Sequence, residues 1–133
     1  MERREILKWT VGAVALGVAG YAGLSVIRRF VPHPPKKILV KEKDLPTEMI
    51  PVKVGPEYFL VRLPGGKLLA LSRRCPHLGC TVNYFPQKNL FICPCHQSRF
   101  ALSGAYLSGP APRGLYPLKW EKSEGGILLE IPG

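Results

Sequence analysis

CPHLGC at residues 75–80 and CPCH at residues 93–96 hold all four cysteines of this chain and two of its three histidines. Each segment lies between stretches rich in Val, Ile, Leu and Phe, so each is predicted to be a loop that joins two β-strands. Thiols and imidazoles brought together in this way are good ligands for zinc or iron. The two segments therefore predict one site of thiol and imidazole chemistry between two loops.

Three chemistries fit these residue types. Tetrahedral zinc needs four Cys or His ligands, two disulfides would use all four cysteines, and a [2Fe–2S] centre can take two thiolates and two imidazoles. The ferredoxin spacing C-x₄-C-x₂-C is absent from the sequence, which disfavours an all-cysteine cluster. No cysteine is set apart as a nucleophile. The residues by themselves leave zinc, disulfides and iron–sulfur open.

Working outward from the two loops, the chain after residue 37 reads as short apolar strands separated by turn residues. No long helical period is present there. Pro64-Gly65-Gly66 predicts a hairpin turn, and Gly125-Gly126 predicts a turn before the last strand. We predict a mainly β head over residues 38–133, built of two small antiparallel sheets. The predicted strands cover residues 38–43, 50–54, 57–63, 67–72, 89–93, 115–121 and 127–131.

The segment WTVGAVALGVAGYAGLSVI at residues 9–27 carries no charged side chain. A helix of about 19 residues spans about 28 Å, close to the thickness of a bilayer core. The apolar run is longer than the core of a cleaved signal peptide. We predict a transmembrane anchor at 9–27, with the lipid bilayer as a partner. Residues 28–37, RRFVPHPPKK, predict a Pro-rich tether because proline stops a helix and favours extended chain.

Residues 1–8, MERREILK, resemble the twin-arginine export signal, although Glu2 stands where Ser or Thr is usual. This resemblance implies a cytoplasmic N-terminal tail and export of the head. Arg28 and Arg29 after the anchor favour the opposite orientation, but long domains are translocated largely regardless of such charges. The net charge is +10, and about half of it lies in residues 1–37. No nucleic-acid motif is present, so nucleic acid is not an expected partner.

The order C-x-H-x-G-C followed by C-x-C-H resembles the Rieske family, and within it the quinol-oxidising cytochrome bc type. The resemblance implies a small Rieske-type antiparallel β-sandwich head with a cluster-binding subdomain, and one [2Fe–2S] cluster. It also assigns the six side chains of the two loops: Cys75 and Cys93 bind one iron, His77 and His96 bind the other, and Cys80 and Cys95 form a disulfide.

Three further features follow from the same resemblance. Ser98 is expected to donate its hydroxyl to a bridging sulfide, and Phe100 stands where high-potential members carry Tyr, so a lowered potential is expected. Gln97 replaces the usual Gly. The segment Gly109, Pro110, Ala111 and Pro112 is expected to form a loop that covers the cluster.

The implied function is that of the electron-transfer subunit of a membrane quinol–cytochrome c oxidoreductase. His96 would bind the quinol, here expected to be menaquinol, and accept its proton. The implied partners are a cytochrome b-type membrane subunit and a c-type cytochrome. Because disulfides persist outside the cytosol, the head is expected on the outer face of a prokaryotic plasma membrane. The alternatives are the small Rieske subunit of an exported molybdenum oxidoreductase resembling arsenite oxidase, and a zinc-stapled structural module.

Overall fold

The structure, a computed structural model, describes residues 2–133. Two compact units are present: an N-terminal unit that runs to Pro34, and a β domain over residues 35–132. The chain is mainly β with one N-terminal apolar helix, so the predicted fold class is confirmed.

Helix α1 covers Arg3–Phe30, which is longer at both ends than the predicted anchor at 9–27. The flanking Arg, Glu and Lys residues are good helix formers, so helical hydrogen bonding continues past the apolar run. The helix ends at Phe30, and Val31 after it is extended because Pro32 follows. The helix is long and apolar enough to cross a membrane once. Since the first strand begins at Lys36, the extended segment is only five residues long, 31–35, rather than the predicted 28–37.

The β domain contains three antiparallel sheets in the described residues, not the two that were predicted. The strands are β1 Lys36–Lys41, β2 Val52–Val54, β3 Tyr58–Arg62, β4 Leu68–Ser72, β5 Asn83–Phe85, β6 Leu90–Ile92, β7 Arg99–Ala101, β8 Tyr106–Ser108, β9 Trp120–Ser123 and β10 Gly126–Ile131. One turn of 3-10 helix, Glu42–Asp44, follows β1. The strand orders in the three sheets are β1-β10-β9, β2-β3-β4 and β5-β6-β7-β8.

The turn at Pro64-Gly65-Gly66 is confirmed. It joins β3 to β4, and both glycines have positive φ, where a residue without Cβ is favoured. The strand predicted over 115–121 is wrong in its first half, because Pro117 has no N–H to give a ladder and makes only an isolated bridge to Leu71.

The sheet β2-β3-β4 lies between two apolar cores. Successive side chains of a strand point to opposite faces, and β3 therefore divides its residues: Phe59 and Val61 enter one core and Leu60 enters the other. The first core contains Phe91 from β6 and Phe100 from β7, together with Cys75 and Cys93. The second core is shared with β1 and β10. The ring of Phe59 stacks on that of Phe91 with centroids 4.2 Å apart, which joins the central sheet to the sheet that carries the metal-ligand loops.

Candidate metal centre

The first ligand loop, residues 75–80, connects β4 to β5 and closes on itself. The N–H of Cys75 donates to the carbonyl of Cys80 at 2.8 Å, and the N–H of Gly79 donates to the carbonyl of Cys75 at 2.9 Å. Gly79 has a φ of +80°, a conformation that favours glycine. The loop is therefore a closed turn that fixes the direction of the Cys75 and His77 side chains.

The second ligand loop, residues 93–98, connects β6 to β7 and repeats this pattern of hydrogen bonds. The N–H of Cys93 donates to the carbonyl of Ser98 at 2.9 Å, and the N–H of Gln97 donates to the carbonyl of Cys93 at 3.0 Å. Gln97 has a φ of +61° and occupies the position that Gly79 has in the first loop. The two loops are thus equivalent turns, each starting at a cysteine followed by proline.

A disulfide between Cys80 and Cys95 joins the two loops, as the resemblance implies. The Cα atoms of these two residues are 6.5 Å apart. The bond leaves Cys75 and Cys93 as the free thiols, and both are buried. The sulfurs of Cys80, Cys93 and Cys95 lie within 4.8 Å of one another, but the two in the disulfide have no thiolate to offer a metal. Only Cys75 and Cys93 can therefore act as sulfur ligands.

The Cys75 thiol is held in a dry environment beside a second thiol. Burial raises the pKa of Cys75 above its ordinary value, and the neighbouring Cys93 thiol raises it further. The backbone N–H groups of His77 and Leu78 oppose this shift, because donors directed at the sulfur stabilise its anionic form. A metal ion bound to both sulfurs would supply the positive charge that thiolates need in such a place.

The two imidazoles lie together at the surface of the same end of the domain. The ring centroids of His77 and His96 are 4.9 Å apart, and the ring planes are nearly perpendicular at 88°. His77 is half-buried and His96 is exposed, whereas both free thiols are buried. The arrangement offers two sulfur ligands on the inside and two nitrogen ligands on the outside, a donor set that fits a [2Fe–2S] centre with mixed ligation.

Ser98 is the buried polar side chain next to these ligands; among residues 2–133 no other polar or charged residue is buried. Its Oγ accepts a hydrogen bond from the N–H of Ala111 at 3.1 Å. The hydroxyl proton of Ser98 is then free to donate to another acceptor. A buried serine with a proton to spare fits a site that holds a sulfide.

The segment Gly109–Pro112 packs directly on the second ligand loop. A Cβ placed on Gly109 would come within 2.5 Å of the Ser98 Cα, and Gly109 has a φ of +99°, so this position requires glycine. The Tyr106 hydroxyl donates to the Gly109 carbonyl at 2.6 Å. Two hydroxyls thus hold this segment, one at Tyr106 and one at Ser98. The contact of Tyr106 has no signature in the sequence and was not predicted.

Phe100 lies in β7 with no exposed surface and pairs with Phe91 across the sheet. It packs in the same core as Cys75 and Cys93. Its side chain has no donor. The ring is fully buried and therefore serves as packing.

A model of the Rieske [2Fe-2S] domain matches residues 36–119. The chain belongs to the Rieske family. The cytochrome b6-f complex iron-sulfur subunit of Chlorobaculum tepidum is 36% identical over 138 residues, which cover 98% of this chain and 76% of the relative. The cytochrome b6-f complex iron-sulfur subunit 3 of Nostoc sp. is 32% identical, and the match covers 97% of this chain and 84% of the relative.

Among solved structures, the plasma membrane Rieske protein of the cyanobacterium Synechocystis PCC 6803 superposes with a TM-score of 0.55. It is 29% identical, and the match covers 71% of this chain and 97% of that one. The relatives are subunits of cytochrome complexes, so this Rieske protein has an electron-transfer role of the cytochrome bc type. It carries one Rieske [2Fe–2S] cluster, which decides the choice between zinc and iron–sulfur that the residues had left open.

Proposed function

We propose that this Rieske protein is the electron-transfer subunit of a membrane quinol–cytochrome c oxidoreductase. It takes one electron from a quinol and passes it to a c-type cytochrome. Cys75, Cys93, His77 and His96 would hold the cluster through two buried thiolates and two imidazoles near the surface. The observation that carries this assignment is the pairing of two buried free thiols with two adjacent imidazoles at the surface.

The residues around the cluster have separate roles. The backbone N–H groups of His77 and Leu78 stabilise the Cys75 thiolate. The disulfide holds the two ligand loops at a fixed separation, and the Gly109–Pro112 segment excludes water from the side of Ser98. When bound, the cluster supplies a one-electron acceptor. Its environment is preorganised by these groups, so little rearrangement accompanies the change of charge.

His96 is the group we assign to quinol binding. Its ring is exposed. With iron on one ring nitrogen, the other nitrogen of a neutral imidazole carries a proton and donates, so it would accept a hydrogen bond from a quinol hydroxyl only in its deprotonated form. That form would take up one proton as the quinol loses one electron. Leu78 has the position in the first loop that His96 has in the second, and 69% of its surface is exposed. It provides an apolar contact for the quinol site of a cytochrome b-type subunit.

Phe100 directs the choice of quinol. A Tyr at this position would donate a hydrogen bond worth about 0.5–1.5 kcal/mol, which corresponds to about 20–65 mV for one electron. Phe100 forgoes that stabilisation of the reduced form, which lowers the potential and favours a low-potential donor such as menaquinol over ubiquinol. Ser98 retains its donor and keeps the potential from falling further.

The topology we propose places helix α1 across a prokaryotic plasma membrane, the N-terminus in the cytoplasm and the β domain on the outer face. The length and apolarity of the helix support a single crossing. The Cys80–Cys95 disulfide supports an oxidising compartment for the domain. The extended residues 31–35 act as the tether, which lets the head reach both its donor and its acceptor in turn.

The test is purification of the full-length protein from native membranes under mild detergent. We expect an EPR signal of Rieske type that appears when a menaquinol analogue reduces the oxidised protein, and a cytochrome b-type partner in the same fractions. Substitution of His96 by Cys or Ala should abolish the signal, whereas Asn89→Ala at a remote turn should retain it. Co-purification with a molybdopterin subunit instead of a cytochrome b would contradict the proposal.

A further inference from the structure

Charge is distributed unevenly over the β domain. Residues 58–120, which include both ligand loops and the Gly109–Pro112 segment, contain eight Lys and Arg residues and no Asp or Glu. The acidic residues of the domain all lie outside this range, in the 3-10 helix, in the segments that precede β2 and β3, and in the hairpin β9–β10. In the part of the chain that contains both ligand loops, every charged side chain is therefore basic.

Three of these cations flank the elements of the site in the sequence. Arg74 precedes the first ligand loop, and its guanidinium lies 3.2 Å from the position that a Gly79 Cβ would take. Arg99 follows the second ligand loop in β7 and is exposed. Arg113 follows the Gly109–Pro112 segment and stacks on the Tyr116 ring, 4.3 Å from its centroid. We call these three residues the arginine rim.

No carboxylate neutralises the arginine rim. In the described residues, ion pairs join only Lys8 to Glu5 and Lys36 to Glu57, both outside residues 58–120. Arg73, next to Arg74, is instead hydrogen-bonded to the carbonyls of Val82 and Gly55, which fixes its position but leaves its charge uncompensated. The field at this end of the domain is therefore positive over a wide area.

An apolar side chain is exposed in the first ligand loop. Leu78, directly after His77, is 69% exposed and stands in a part of the chain whose charged side chains are all basic. A quinol is uncharged and gains little from these cations. An acidic protein whose redox group is reached through an apolar opening is complementary to both parts of the surface.

We propose that the arginine rim docks an acidic patch on the electron acceptor, a c-type cytochrome with carboxylates around its exposed haem edge. This inference rests on the proposed function and names the chemistry of its partner. Opposite charges raise the encounter rate and orient the imidazoles toward the haem. One electron then leaves the reduced protein and reduces the ferric haem, and no bond is formed or broken. An anionic membrane surface is the competing occupant, but it offers neither an apolar opening nor an electron acceptor.

The test measures binding of two soluble c-type cytochromes, one acidic and one basic, to the full-length protein in nanodiscs of zwitterionic lipid. For the acidic cytochrome, we expect Kd to rise about tenfold between about 20 and 200 mM NaCl, because the Debye length shortens over that range. The basic cytochrome should bind more weakly at low salt. Equal binding of the two, or a Kd that does not depend on salt, would overturn the proposal.

The triple variant Arg74→Gln, Arg99→Gln, Arg113→Gln should weaken binding of the acidic cytochrome about tenfold at low salt, since each exposed charge changes Kd by about twofold. A variant with the same change in net charge, Lys41→Gln, Lys43→Gln, Lys122→Gln, removes exposed cations outside the site and should leave Kd within about twofold. An equal loss in the two variants would assign the effect to net charge and contradict a rim.

Two further readouts separate the possible failures. A preparation without a Rieske-type EPR signal would contradict the proposed function before any cytochrome is added. A preparation with that signal whose arginine rim binds nanodiscs of anionic lipid, but whose affinity for the acidic cytochrome is insensitive to the triple substitution, would assign the rim to lipid and overturn the docking proposal alone.

Discussion

Gln97 occupies the same position in the second ligand loop that Gly79 occupies in the first, and both residues have positive φ. The values are +61° and +80°, and in both cases the N–H donates to the carbonyl of the cysteine that opens the loop. For an L-residue other than glycine this conformation costs about 1–2 kcal/mol. The second ligand loop therefore holds a strained residue directly after His96.

Gln97→Gly should relieve this strain. Glycine loses more freedom on folding, which offsets part of the gain, so we expect a net stabilisation of about 0.5–1 kcal/mol and a rise in Tm of about 2–8 °C. The rise in Tm is measured by thermal unfolding monitored by circular dichroism. Asn89→Gly is the matched control, because Asn89 also has a positive φ, +51°, but asparagine tolerates this region. An unchanged Tm for Gln97→Gly with a raised Tm for Asn89→Gly would contradict the assignment of strain.

Phe100→Tyr should raise the midpoint potential of the cluster. If the new hydroxyl reaches a cysteine sulfur, the gain is about 20–65 mV. Redox titration followed by EPR gives the value directly. Phe59→Tyr places the same hydroxyl in the same core on the central sheet and should leave the potential unchanged, although both variants lose some stability. A potential that falls or stays constant in Phe100→Tyr would remove the argument for a low-potential donor.

Ser98→Ala removes two roles at once. The N–H of Ala111 loses its acceptor, which costs about 1–3 kcal/mol if the group stays buried. The cluster loses a donor, so its potential should fall by about 20–65 mV. Denaturant unfolding and redox titration measure the two effects separately. Tyr106→Phe releases the same segment at Gly109 without touching the donor to the cluster, and should lower stability slightly with little change in potential.

Removal of the disulfide through the double substitution Cys80→Ala, Cys95→Ala should destabilise the domain. The two cysteines are 15 residues apart in sequence, and closing a loop of that size stabilises the fold by about 3 kcal/mol. We expect a lower Tm and faster loss of the Rieske EPR signal on warming. Treatment of the wild-type protein with a strong thiol reductant should reproduce the result; retention of the native Tm in both cases would show that the loops do not depend on the bond.

The sequence was a good guide to the chemistry and a weaker one to the sheets. The ligand loops are recognisable because Cys, Pro and His recur at fixed spacing, and the helix because a long uncharged apolar run is typical of a membrane span. Strands β5, β7 and β8 were not predicted from the sequence, because three residues are too few to show alternation and these strands carry polar residues such as Asn83 and Ser108. β5 and β7 exist because they pair with β6, and β8 because it pairs with β7, and no local pattern encodes these pairings.

The left-handed conformation of Gln97 was not predicted from the sequence for a different reason. Glutamine carries no signal for positive φ, and only comparison of the two loops, position by position, reveals that it stands where the other loop has glycine. The hydrogen bond of Tyr106 was not predicted because a tyrosine on a short exposed strand looks like an ordinary surface residue. Both features rest on a hydrogen bond to a backbone carbonyl three or four residues away, which the intrinsic preference of glutamine or tyrosine does not reveal.

Strand β3 is where this domain should tolerate an insertion least. Its odd-numbered residues, Phe59 and Val61, belong to the core beside the cluster, and Leu60 belongs to the core shared with β1 and β10. A shift of one residue would move the side chains of each core to the other core, so that both cores would be packed with residues of the wrong size. The alignment of this one strand is therefore constrained from both sides, and the two halves of the domain should melt as one unit rather than in sequence.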